Sequence, residues 1–196
     1  MLERLALKLS LCLSNVTAHE RLRYMAYHDP LTGLLNRRVM ERILEREFLR
    51  SSRYKMQLTL LFLDLDDFKS INDTHGHDMG DKALCHVAGC LTRLKRDSDV
   101  VARFAGDEFV VILPSTSRSQ AEHFMARVKN MLAATPVSGS GCRFFLQVSH
   151  GVCGIQDPDI DSARTMLTAA DKSLYRAKMK KNQLKTFFPD HTDGER

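Results

Sequence analysis

Leu2, Leu5, Leu9, Cys12 and Val16 recur every three or four residues in a stretch, 1 to about 26, that holds neither Gly nor Pro. That spacing predicts an amphipathic helix whose apolar stripe could serve as a coiled-coil seam. The stretch is too short to be a domain, and it reads as a stalk: the end of a linker helix from a sensor module upstream. The alternative is a helix that packs on its own domain. HDPLTGLLNRR (28–38) breaks the pattern, with Asp29-Pro30 and Gly33 as punctuation. Val39, Met40, Ile43, Leu44 and Phe48 then share one face of a helix. QLTLLFLDL (57–65) is a continuous apolar run of strand length, hence a buried central strand. Helical turns lead to about Leu94. VVARF and EFVVIL follow as two short strands joined by Ala105-Gly106-Asp107. A helix is expected over about 118–134, a strand over 143–151, a helix over 162–180 and a last strand at KTFF, 185–188.

The core order β-α-β-β-α-β is that of an α/β (α+β) fold with a ferredoxin-like, palm-type antiparallel sheet and helices on one face. The expected division is a stalk at 1–26, one domain at 27–188 and a polar tail at 189–196. Phe144 and Phe145 should begin a core strand. Cys85 and Cys90 should be buried small hydrophobes. His28 and His150 read as structural.

Composition changes this picture little. With 43% hydrophobic and 27% charged residues the chain is ordinary for a soluble globular protein. Its formal net charge of +5 could serve nucleic acid, acidic lipid or a phosphorylated small molecule. Many arginines lie in residues 20–50, but acids are interleaved with them, as on a solvated helix, so no nucleic-acid partner is expected. The five cysteines form no CxxC pair and no zinc spacing, which fits reduced thiols in a cytoplasm. No secretory leader pattern is present, and no run approaches the roughly 20 apolar residues of a membrane span.

The chemistry is concentrated at two places. FLDLDDFKSINDTHGHDMGD sets Asp64, Asp66 and Asp67 at the end of a buried strand. Carboxylates so close repel one another unless a cation neutralises them. Oxygen ligands without His or Cys in register suit Mg²⁺ or Mn²⁺, ions that arrive with nucleotide phosphates. The free N–H groups of the helix that follows could hold those phosphates. The bland reading is an acidic surface turn with capping aspartates. In RFAGDEFVVIL, Asp107 and Glu108 follow a tight turn between two apolar strands. Antiparallel pairing would set Asp107 beside Asp64, as in two-metal nucleotidyl transfer.

These segments, with DPLTGLLNRR before them and ADKSLYRAK after them, stand in the order and spacing of a known family. Across residues 27 to about 188 the chain resembles the GGDEF domain. The resemblance implies a diguanylate cyclase, which condenses two GTP into cyclic di-GMP and two pyrophosphates, with Mg²⁺ (or Mn²⁺) as cofactor. It implies that Asp64, the Leu65 carbonyl, Asp107 and Glu108 hold metal, and that Asp107 accepts the 3′-hydroxyl proton. Lys69 would stabilise charge on the transferring phosphate, Asn72, His77 and Asp81 would contact guanine and ribose, and Lys178 would reach the terminal phosphates. Arg96-Asp97-Ser98-Asp99 matches the family's RxxD product-inhibition site, with Arg127 as helper arginine. The expected partners are GTP, cyclic di-GMP, a second copy of the chain and an upstream sensor domain.

Two departures stand out. Ala105 replaces the first glycine of the signature. If the turn holds it at positive φ, the strain is about 1 kcal/mol or somewhat more. After Lys178, where the family tends to have a Gly followed by a basic residue, the chain reads Met179-Lys180-Lys181-Asn182, which leaves open whether Lys181 acts as the second basic group. The competing function is a catalytically weak or inactive module that senses cyclic di-GMP through Arg96 and Asp99, or GTP through Asn72 and Asp81. The retained Asp64, Asp107 and Glu108 argue for the enzyme. The family's N-terminal turn meets the signature hairpin, so Asp29 is expected to pair with Arg103.

Overall fold

The computed structural model describes residues 24–139 and 141–187. The expected stalk, apart from a helical turn at 24–27, lies outside the described residues, as do Phe188 and the polar tail. In chain order the elements are β1 (Leu35–Asn36), α1 (Arg37–Tyr54), β2 (Leu58–Leu65), α2 (Phe68–His75), α3 (His77–Leu94), β3 (Val100–Ala105), β4 (Glu108–Pro114), α4 (Arg118–Ala134), β5 (Val137–Gly139), β6 (Cys142–Phe144), β7 (Val148–Gly154) and α5 (Ala163–Phe187). One sheet has the order β1-β3-β4-β2-β7, and β5 and β6 form a separate hairpin. The pairs β3–β4, β4–β2 and β2–β7 are antiparallel, while the two-residue β1 lies parallel to β3.

Every residue of β2 is buried, because its two sets of alternating side chains face two different cores. Leu61, Leu63 and Leu65 join Met79, Ala83, Leu84 and Val87 of α3 and Phe124, Met125 and Val128 of α4. Leu58, Leu60 and Phe62 join Met40, Leu44 and Phe48 of α1 and Met166, Ala170 and Leu174 of α5. Helices therefore cover both faces of the sheet, not the single face expected. A doubly apolar strand demands that cover, and α1 and α5 supply it. Local chemistry fixes the helix starts: Asn36 accepts the Val39 N–H, and Ser117 and Gln120 form a reciprocal capping box on α4.

Three local expectations fail for identifiable reasons. KTFF is not a strand through Phe187, because α5 runs on to that residue and nothing from Lys172 to Phe187 is Gly or Pro. The strand expected at 143–151 divides into β6 and β7, leaving Phe145 at 56% exposure between them. Cys85 faces outward on α3, its thiol near the Leu31 carbonyl, whereas Cys90 is buried. His28 Nδ1 lies 2.9 Å from the Gly33 carbonyl and His150 Nε2 2.9 Å from Glu122, which are structural contacts. Among the described residues no helix is long and apolar enough to cross a membrane.

Candidate nucleotide and metal site

The register of β2 with β4 sets Asp64 directly opposite Glu108. Both side chains fall on the α1/α5 face, since Phe62 and Val110, two residues away on each strand, pack there. Asp107 occupies the hairpin turn, and its carbonyl accepts the Leu65 N–H at 3.2 Å. Glu108 is thus the ladder partner of Asp64, and Asp107 borders Leu65. The turn itself is less demanding than its composition suggested. Gly106 takes the positive φ, at 50°, and Ala105 does not, so the expected strain at Ala105 is absent. Ala105 instead pairs with Glu108 after a bulge in β3.

Asp64 is 7% exposed and its Oδ1 lies 2.5 Å from Lys178 Nζ on α5. Burial pushes the Asp64 carboxyl above its ordinary value; Lys178 opposes this, while the charges of Asp107 and Asp66 add to it. Glu108 is also pushed up, by burial first and then by Asp64, Asp107 and Asp171. Acids that raise one another's pKa form a cluster short of positive charge. Asp66 has its own cation: Lys181 Nζ donates to its Oδ2 at 2.7 Å and to Gln147 Oε1 at 2.8 Å, while the Ser149 hydroxyl donates to Asp66 Oδ1 at 2.6 Å. Asp67, at φ 57°, does not cap α2 with its side chain.

The remaining candidates lie on the other face of the same sheet tip. Phe68 and Ile71 of α2 pack against the core that α3 joins. Asn72 is half-buried on α2, and His77 and Asp81 are exposed on the first turns of α3. The Gly76 N–H donates to the Asn72 carbonyl at 2.9 Å and closes the elbow between the two helices. Lys69 is exposed on α2 and pairs with none of the clustered acids among the described residues. The structure therefore unites Asp64, Asp107, Glu108 and Lys178 and groups Asn72 with the α3 start, with the 66–68 turn between the two sets. A cavity of about 550 Å³ lies apart from the second set, between α1 and α5, with Glu108 and Asp171 among its lining residues.

Arg96, Asp99 and Arg127 line one small cavity of about 140 Å³. Asp99 is 5% exposed and its Oδ2 accepts the Arg96 backbone N–H at 2.8 Å, so it holds the turn together. The Arg96 and Arg127 side chains are exposed.

The expected pairing of Asp29 with Arg103 is present. Arg103 Nη1 reaches both Asp29 oxygens, at 3.1 and 3.2 Å, while its Nε donates to the Gly106 carbonyl at 2.9 Å. One guanidinium thus joins the DPLT turn to the signature hairpin. Burial alone would raise the Asp29 carboxyl, but the Thr32 hydroxyl and amide and Arg103 more than offset it and hold it below its ordinary value. A lowered carboxylate contributes stability that is full above the ordinary unfolded value of 3.8 and is lost as pH falls through the folded value. Asp29→Asn should therefore lower stability at pH 7 by about 1–3 kcal/mol, and the deficit should shrink below about pH 4. Thermal midpoints of both proteins from pH 7 to pH 3 test this; a gap that does not narrow would rule out the charged pairing.

Sequence reasoning passed over Asp171, Lys181 as a partner for Asp66, and the Arg103–Gly106 bond. A signal for the first two existed: Asp171, Lys178 and Lys181 are seven and three residues apart and share one side of α5. No sequence pattern marks a guanidinium bonded to a turn carbonyl.

The sequence profile described as "Diguanylate cyclase, GGDEF domain" matches residues 26–183. The chain belongs to the GGDEF family. It is 40% identical over 156 residues to the diguanylate cyclase DgcP of Pseudomonas aeruginosa, a match that covers 80% of this chain and 23% of DgcP. It is 40% identical over 158 residues to the probable diguanylate cyclase DgcC of Escherichia coli K12, covering 81% of this chain and 42% of DgcC. The chain therefore spans well under half the length of these GGDEF relatives. Among solved structures, the coiled coil and GGDEF domain of DgcB from Caulobacter crescentus, in complex with c-di-GMP, superposes with a TM-score of 0.78. That match has 26% identity and covers 90% of this chain and 93% of that one.

Proposed function

We propose that this GGDEF domain is a diguanylate cyclase that joins two GTP molecules into cyclic di-GMP with release of two pyrophosphates. The observation that carries the reading is the carboxylate cluster at the sheet tip, Asp64 opposite Glu108 with Lys178 Nζ 2.5 Å from Asp64. Its donor set is all oxygen, and burial first and then the neighbouring acids raise its carboxyls, which fits a hard divalent ion. Among the described residues no three acids, imidazoles or thiols yet stand as a ready-made metal nest, and Lys178 neutralises Asp64 instead. Asp64, the Leu65 carbonyl, Asp107 and Glu108 would hold Mg²⁺ or Mn²⁺, which when bound supplies charge for the phosphates. Lys178, released from Asp64, is then placed to meet the terminal phosphates.

The remaining roles are those that the family resemblance implies. Asn72, His77 and Asp81 take guanine and ribose on the α2–α3 side; an amide and a carboxylate match the donors and acceptors of the guanine edge. Lys69 balances charge that develops on the transferring phosphoryl group, and Lys178 that of the terminal phosphates. In each half-reaction the 3′-oxygen of one GTP forms a bond to the α-phosphorus of the other. The bond to pyrophosphate breaks, and the 3′-hydroxyl proton passes to Asp107. One domain holds one GTP, so two copies must face each other, and the work belongs to a dimer set by the stalk and an upstream sensor domain. The domain itself is assigned to residues 27–188, working in the cytoplasm. Incubating the full chain with GTP and Mg²⁺ and separating products by chromatography tests the reading. Cyclic di-GMP and pyrophosphate should appear in a ratio of about 1:2, the stoichiometry of two nucleotidyl transfers. No product at concentrations where the protein is dimeric would overturn the enzyme.

A further inference from the structure

A glycine inside a helix weakens it relative to alanine, and α3 contains two, Gly80 and Gly89. Their surroundings differ. Gly89 is exposed, and a Cβ built on it meets nothing within 4 Å. Gly80 is buried, and a Cβ there would overlap Asn72 Oδ1 while lying 3.0 Å from Asn72 Cγ and 3.3 Å from Phe68 Cε2. The Asn72 amide thus occupies the volume that any other residue at position 80 would fill. Among the described residues no hydrogen bond holds that amide; packing alone sets its place, in the notch over Gly80 and beside Phe68.

We propose that Gly80 is a positioning residue for base recognition: its missing side chain is the seat that aims the Asn72 amide. The inference rests on the reading of Asn72 as a guanine contact. An amide carries a donor group and an acceptor on one carbon, so its orientation decides which of them meets the base edge. An alanine at position 80 closes the seat. The amide yields, because it is the far end of a flexible side chain while the new Cβ is fixed to a buried helix. The fold survives, and the helix gains an alanine. Recognition and stability are then expected to move in opposite directions, as when a residue is kept for function at the expense of stability.

The test compares the full chain with Gly80→Ala, Gly89→Ala, Asn72→Ala and the Asn72→Ala/Gly80→Ala double variant. Two quantities are read: thermal midpoint, and affinity for 3′-deoxy-GTP and 3′-deoxy-ATP, which lack the attacking hydroxyl. Gly80→Ala should bind the guanine nucleotide at least about tenfold more weakly, with reduced preference over adenine, as expected for a misplaced polar contact. Its midpoint should not fall. Gly89→Ala should bind as wild type and melt about 2–4 °C higher. The double variant should bind no worse than Asn72→Ala alone, since the seat has no other occupant. Wild-type guanine binding by Gly80→Ala would overturn the proposal, as would a double variant clearly weaker than Asn72→Ala. If the wild type binds neither nucleotide, the guanine reading fails by itself. The steric link is then judged from the midpoints: Gly80→Ala should raise the midpoint more in the Asn72→Ala background than in the wild type, and equal increments would overturn it.

Discussion

Asp64→Asn should stop cyclic di-GMP synthesis, by at least about a hundredfold, in a protein that melts no lower than the wild type at pH 7. The two halves of that statement share one cause. Asp64 is buried at the strand tip beside Asp107 and Asp66, and its carboxyl is raised by burial and by those charges despite Lys178. A raised carboxyl pKa means that the folded state disfavours the ionised form. Between its ordinary value of 3.8 and the folded value, the folded protein holds a proton that the unfolded chain has released. At neutral pH the charge is therefore a net cost to the fold, and an isosteric amide removes that cost. The same amide cannot neutralise a divalent ion as a carboxylate does. Asp107→Ala is the companion variant, at a half-exposed turn where truncation should leave the fold intact. Product formation by chromatography and thermal midpoints decide the matter; wild-type turnover from a folded Asp107→Ala protein would remove Asp107 from the site.

Much of this arrangement can be traced to the chain. The alternation in LTLLFLDL feeds two cores, and the acids at its end could only emerge at the sheet tip. The pairing of Asp29 with Arg103 was reached from the family's turn meeting its hairpin. What could not be read is mostly long-range or a matter of backbone angle. Thr186 and Phe187 favour a strand locally, yet no helix breaker precedes them and α5 continues through both. Ala105 looked strained because the signature usually has glycine there, but the bulge in β3 leaves the positive φ to Gly106 alone. Phe145 is apolar and yet exposed, because it falls between two strands and not within one. The opposite assignments of Lys178 and Lys181, to Asp64 and Asp66, depend on how α5 lies across β7 and the tip of β2, which no local pattern encodes.

Arg96→Ala should weaken cyclic di-GMP binding by at least about tenfold while leaving synthesis running. A charge-assisted hydrogen bond contributes about 1.5–3 kcal/mol, and 1.4 kcal/mol corresponds to one decade of affinity. The choice of residue follows from the cavity that Arg96, Asp99 and Arg127 line together. Asp99 is a poor probe, because its carboxylate accepts the Arg96 backbone N–H at 2.8 Å and its loss would loosen the turn itself. The Arg96 and Arg127 side chains are exposed beside that cavity, and their truncation leaves the turn hydrogen bonds in place. A planar guanidinium can grip a phosphate through two donors at once, which suits Arg96 to a product phosphate. Asp64 and Glu108 lie across the sheet, on the α1/α5 face, so the variant does not touch the site proposed for metal and phosphate. Product bound here should hold two domains apart and slow synthesis without displacing GTP. Progress curves with added cyclic di-GMP should therefore slow for the wild type and stay near linear for Arg96→Ala, with Arg127→Ala between them. Identical slowing of wild type and Arg96→Ala would mean that Arg96 to Asp99 is a structural turn and nothing more. Calorimetry that detects no product binding to the wild type would carry the same meaning.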